Sequence, residues 1–233
     1  MYKMKTIKLT LIFVTLIAVH VKAQTYKIDT SEITYENKLR PCFNVKYDAP
    51  PVTVKKAWDK FFNKNYNVKI KGIGLLTNKD IITGTDVTIA DISDKRMNLY
   101  AKITNVASGS ELSYFMSFGY DFFIGSVDYS KEFAGMKKIL NDFSMEFLND
   151  YYADEASNLT SKIKSLEKDI SKNNKSVKKN NRKAKKGSAE VANGLSAKNT
   201  AKQMENEENR RKISELNKQI ENIKIKQQGL SRN

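Results

Sequence analysis

The chain has one histidine, one cysteine, three prolines and one tryptophan in 233 residues. Its aromatic residues stop at Tyr152. Each scarcity removes a class of chemistry. His20 lies inside an N-terminal segment that reads as cleavable, so the mature chain is expected to have no imidazole. Ser-His-Asp and Cys-His catalysis then fall away, and so do the usual histidine-containing zinc sites. One cysteine cannot close an internal disulfide, and Cys42 sits in an apolar stretch where a small buried hydrophobe is expected. No phosphate-binding glycine loop is present. The one Gly-x-Gly, at Gly72 and Gly74, lacks a third glycine and a following helix. Asp86, Asp91 and Asp94 lack the alternating ligands and the glycine of a calcium loop, and read as a solvated turn. No paired carboxylates stand out, so no catalytic residues, metal ligands or cofactors are assigned, and the protein reads as non-enzymatic.

What the sequence does contain is a sharp division of charge. Residues 155–233 carry 20 Lys+Arg against 9 Asp+Glu, whereas residues 24–154 carry 17 of each. Residues 1–23 have the parts of a secretory signal peptide. Lys3, Lys5 and Lys8 form the positive start, 9–19 the apolar run, and Val21-Lys22-Ala23 the small-residue cleavage site before Gln24. The apolar run is about 11 residues, short against the roughly 20 that a bilayer needs. An uncleaved membrane anchor is the alternative. A secreted or periplasmic location follows from the cleaved form.

Residues 24–154 are long enough for one core. Residues 39–47 read as a strand stopped by the Asp-Ala-Pro-Pro run at 48–51. Val54, Trp58 and Phe61 then recur at helical spacing. Val68 and Ile70 alternate with lysines as a short strand. Residues 81–89, 97–104 and 111–120 read as three more strands, with a turn at 77–80. Phe133, Met136, Leu140, Phe143 and Phe147 follow at 3,4,3,4 spacing, a helix started near Ser130 that needs a sheet to cover. The expected class is α+β, an antiparallel sheet in the order β-α-β4-α.

That order, the tryptophan-bearing first helix and the signal resemble secreted Bacteroidota proteins with a domain of unknown function of TATA-binding-protein-like fold. The likeness covers about residues 33–154 and carries no catalytic motif. A helix-grip fold of the kind that holds lipids is the alternative. It implies a cavity lined by Trp58, Phe115, Phe118 and Phe143, with the tail as a spacer. In the aromatic stretch 114–123, Phe115 cannot share a strand face with Tyr114 and Met116. If helices cover one face of the sheet only, some of these rings lie on an open surface fit to meet a partner.

Residues 155–233 read as a basic coiled-coil or helical hairpin with a low-complexity centre. Leu159, Ile163, Leu166, Ile170 and Val177 form one heptad seam, and Ile213, Leu216, Ile220, Ile223 and Leu230 another. Pairing Val177 with Leu216 aligns Ile170 with Ile223 and Ile163 with Leu230. This register folds the chain back near 195–197, just after Asn193-Gly194, and sets Lys185 and Lys186 opposite Glu207 and Glu208. Parallel self-association into a dimer is the rival. The run 175–186 is the strongest electrostatic feature. Lys178, Lys179, Arg182, Lys183, Lys185 and Lys186 are the residues expected to meet an anionic envelope component, with peripheral membrane contact included. Without stacking rings, specific nucleic-acid recognition is not expected.

Overall fold

A computed structural model describes residues 26–74 and 79–230. The expected signal segment 1–23, and residues 77 and 78 of the expected turn at 77–80, lie outside the described residues. The fold is α+β, an antiparallel sheet of five strands with long helices. Strands β1 (Ile28–Tyr35) and β2 (Lys38–Tyr47) precede helix α1 (Pro51–Tyr66). Strands β3 (Ile81–Ile89), β4 (Ser93–Val106) and β5 (Gly109–Ser117) follow, then helices α2 (Ser130–Ala184) and α3 (Ala189–Gln228). The sheet order is β1-β2-β5-β4-β3, and every neighbouring pair is antiparallel.

This order departs from β-α-β4-α in one strand on each side of α1. Before it, β1 and β2 make a hairpin around Glu36 and Asn37, both left-handed (φ 51° and 59°), the geometry of a two-residue primed turn. The signal was the polar Glu-Asn pair between two β-prone runs, without the glycine that usually marks such a turn. After α1, residues 68–70 form no ladder. Val68 and Ile70 are buried, but only Lys71 bridges Thr83. Burial without pairing mimics a strand in sequence. The pairing of β3 with β4 has register irregularities between Gly84 and Val87 and between Val87 and Ile89. A Cβ at Gly84 would stand 2.9 Å from the Val68 side chain, so a glycine lets the connection lie against the sheet. Strand β5 ends at Ser117, three residues before Tyr120.

Helix α1 begins with Pro51 at its first position, as the Pro-Pro pair predicts, and ends at Asn67 in a left-handed cap. Helices α1 and α2 cover one face of the sheet. Trp58 is fully buried, with Phe62 and Phe143 each 4.7 Å away between ring centroids and Tyr114 at 5.2 Å. Helix α2 follows the direction of β2. Phe133 stacks on Phe43 at 4.1 Å, and about four helical turns later Phe147 meets Tyr47 at 5.3 Å. At its start, Gly135 lies so near the β3–β4 turn that a Cβ would be 2.6 Å from the Asp91 carbonyl oxygen. The start of α2 has no side-chain cap, so Ser130 does not act as one.

Helix α2 continues without a break past residue 154, then α3 returns antiparallel along it. The chain turns at 185–188, where Ser188 caps α3 by accepting the Val191 amide. This corrects the expected register. Asn180 donates to Asn199 at 2.9 Å and Asn206 to Asn174 at 2.9 Å. Residue 177 therefore lies level with about residue 202, two heptads from Leu216, while Asn193 and Gly194 are inside α3. The slip keeps every seam residue on the seam, which is why the heptad pattern alone did not exclude it. It separates Lys185 and Lys186 from Glu207 and Glu208, whose ion pairs are with Arg210 and Lys212 on their own helix.

Candidate functional site

The hairpin is fixed to the domain at its root. The Asp48 carboxylate accepts from Lys226 at 2.6 Å and from the Tyr152 hydroxyl at 2.9 Å, and Ile223 and Leu230 pack on the domain core. Burial, and then the Asp48 charge, push the Tyr152 phenol well above its ordinary value, so it remains a hydrogen-bond donor. From Tyr152 to the end of α2 the hairpin extends for about 48 Å at 1.5 Å per residue.

Towards the tip the seam becomes polar. Asn173, Asn199, Asn206 and Asn209 are buried between the helices. Asn199 donates to Asn181 at 2.6 Å, and Lys202 to Asn173 at 3.1 Å. Charge of one sign accumulates around this seam. Residues 170–204 contain ten Lys or Arg and one acid, Glu190. Lys178, Lys179, Arg182, Lys183, Lys185 and Lys186 are all exposed, and among the described residues none of them forms an ion pair. Lys175, Lys178, Lys179, Arg182, Lys183 and Lys186 line one shallow groove. Their 3- and 4-residue spacing places them on one helix face. The groove therefore gathers five of the six expected cations together with Lys175, while Lys185, at the C-terminal cap of α2, is not among its lining residues. The facing part of α3 supplies no carboxylate, and this was hidden in the sequence by the expected register.

The four rings expected to share a cavity do not converge. Trp58 and Phe143 are packed against each other beneath the helices. Phe115 lies on the opposite face of the sheet, and Phe118 follows β5 and meets Tyr129 at 5.0 Å. The cleft that Phe143 lines between α1 and α2 is about 150 Å³, below the roughly 300 Å³ at which small-molecule sites begin.

The uncovered face of the sheet has its own small apolar cluster. Phe115 is fully buried there although no helix covers it. Tyr100 stacks on it at 5.0 Å, Tyr35 tilts over both at 5.0 and 5.4 Å, and Phe123 closes the far side at 6.1 Å. Burial, followed by the neighbouring Tyr100 and Glu36, pushes the Tyr35 phenol up to about 12. Arg40 lies over the Phe123 ring at 4.2 Å and donates to Asp121 at 2.6 Å. Hydrogen bonds from Lys38 and then Arg40 hold the Asp121 carboxyl below the usual carboxylate range. Cys42 is fully buried in the same cluster, and burial pushes its thiol up to about 11. A thiol with so little thiolate at neutral pH is a packing group.

Among the described residues no His, Cys, Asp or Glu side chains gather in threes around a space fit for a metal ion. No described helix is long and apolar enough to cross a membrane. In comparisons with known proteins, no family model, no curated protein and no solved structure matches the chain.

Proposed function

We propose that the protein is a non-enzymatic, envelope-associated attachment protein, secreted or periplasmic after cleavage at Ala23. The basic end of its helical hairpin holds an anionic surface, and its α+β domain offers the uncovered sheet face to a protein partner. One observation carries the reading. Six exposed, unpaired cations sit at the far end of a stalk about 48 Å long, with no carboxylate facing them. A solvated helix face usually interleaves its charges, as the outer face near Glu207, Glu208, Arg210 and Lys212 does. With Glu190 the one acid among residues 170–204, the field at the tip is strongly positive.

The supported ligand class is a polyanion with closely spaced charges, such as the head groups of an anionic lipid surface or an envelope polymer. Each basic residue near such a surface contributes about 1 kcal/mol, so six suffice for reversible attachment. The missing aromatic residues fit charge-driven contact without base stacking. The likeness to secreted Bacteroidota proteins of TATA-binding-protein-like fold belongs to this proposal, as do a coiled-coil character of the hairpin and self-association through it.

The test is replacement of Lys178, Lys179, Arg182, Lys183, Lys185 and Lys186 by Gln in one chain, with binding to vesicles containing anionic lipid read at several salt concentrations. The wild type should bind at low salt and release as salt rises. The six-fold variant should lose most of that binding while keeping its helical circular dichroism. Equal binding by both chains would sink the proposal.

A further inference from the structure

The end of the sheet opposite the hairpin carries a second concentration of unusual groups. Strands β1, β3 and β5 finish there, and α2 begins there. Seven large hydrophobic residues are strongly exposed among the described residues, and four belong to this end: Leu39 at 63%, Tyr120 at 96%, Phe122 at 61% and Val127 at 91%. Single exposed hydrophobics are ordinary. Two aromatic rings and two aliphatic side chains at one end are not.

The segment bearing the rings is rigidly held. The Phe118 amide donates to Phe122, the Phe122 amide to Gly119, and the Ile124 amide to Met116. Asp121, between the two rings, is gripped by Lys38 and Arg40. Phe123, next in sequence, is buried under Arg40. Tyr120 has a left-handed backbone (φ 47°), which costs a tyrosine free energy and turns its ring into solvent. The alternation is the point. Phe123 anchors the turn from within and Asp121 is pinned at the surface by Lys38 and Arg40, while Tyr120 and Phe122 are held out, with little further ordering needed on contact.

We propose that this turn is a lipid-interface contact, with Tyr120 and Phe122 entering the head-group zone of a zwitterionic bilayer and Leu39 and Val127 extending the apolar footprint. Three features favour lipid as the occupant. The rings stand on a convex turn that lines none of the concavities described above, and such a shape enters a soft interface without needing a matching pocket. Tyr and Phe have the apolar body that the interfacial zone accepts, and the Tyr hydroxyl suits its wet side. The charges at this end are balanced, with Asp121 held by Lys38 and Arg40, Asp86 by Arg96 and Asp91 by Lys138. Long-range attraction to an anionic surface is therefore weak here, and the apolar contact dominates. The proposal stands independently of the hairpin reading. If both hold, the two contacts lie at opposite ends of α2, about 82 Å apart over its 55 residues.

The experiment uses the chain from residue 24, since the described fold begins at Tyr26. Phe122→Trp places a reporter in the turn, and Trp58, fully buried, supplies an unchanging background. With vesicles of pure phosphatidylcholine, the emission of the new tryptophan should shift to the blue and be quenched by brominated lipid. The response should persist in high salt and in the six-fold hairpin variant. In the otherwise native chain, Tyr120→Ser with Phe122→Ser should lower vesicle partitioning about ten-fold or more, with the near-ultraviolet signal of the core unchanged. No spectral response at any lipid concentration would overturn the proposal. So would binding to the phosphatidylcholine vesicles that disappears with the hairpin cations alone, or a dimer that the double serine variant converts to monomer, which would make the turn a contact between copies.

Discussion

The core beneath the sheet and the seam between α2 and α3 bury their helix faces by opposite means. Beneath the sheet, Trp58, Phe62, Tyr114, Phe143 and Phe147 interlock as rings, and position is decided by shape. In the outer seam, Asn173, Asn199, Asn206 and Asn209 occupy the buried positions, and position is decided by amide hydrogen bonds. The difference teaches what each region is built for. Ring packing stabilises strongly and fixes the domain. An asparagine seam contributes little net stability but penalises a slipped register, because a shifted amide loses its partner. A long hairpin with weak apolar content can keep one alignment in this way, and the alignment holds the cations together at the tip.

This contrast can be broken most directly at Trp58. Trp58→Ala should destabilise the domain by about 3–5 kcal/mol, measured by denaturant unfolding, because three neighbouring rings lose contact around a cavity. The same change should leave much of the hairpin helicity in place. Full loss of helicity together with the core would show that the hairpin depends on the domain for its existence. A smaller effect of opposite sign is expected at the seam. Asn206→Leu replaces a buried amide whose oxygen has no partner, and should raise the thermal stability of the hairpin by about 1 kcal/mol. A drop in stability would mean that the bond to Asn174 outweighs apolar packing there. The smallest effect concerns Cys42 on the uncovered face. Burial pushes its folded thiol up to about 11 from an ordinary value of 9.0, so the fold prefers the protonated form. That contribution is fully present below pH 9 and is lost as pH rises through 11. Cys42→Ala should flatten the fall in stability across that window. Native thiol labelling at pH 8 should be slow, becoming rapid on unfolding, and fast native labelling would place Cys42 at the surface.

Part of this was legible from local pattern. The stripe from Phe133 to Phe147 has one helical reading, and Pro51 marks the first turn of α1, because helix periodicity and proline geometry act within a few residues. The run of cations needed no structure to be found. Strand β1 was missed because Glu36 and Asn37 take left-handed geometry without a glycine to announce it. Residues 68–70 were read as a strand because burial, which sequence alternation reports, does not require pairing. Tyr120 and Phe122 were read within a general aromatic stretch. Which ring is covered depends on where Lys38 and Arg40 hold Asp121, a contact between positions some 80 residues apart.

By itself the sequence determined the α+β class, the neutral and basic halves, and the helical face on which each apolar residue of the tail lies. These follow from composition and short-range periodicity. Only the tertiary structure decided the alignment of α2 with α3, since sliding by whole heptads preserves the apolar pattern. The turn at 185–188 and the Asp48–Lys226 contact select one alignment from that set. The tertiary structure also decided that Phe115 and Trp58 face opposite ways, and that the charged tip and the exposed rings stand at opposite ends of one helix. Those are relations between distant segments, set by sheet order and by the direction of a 55-residue helix.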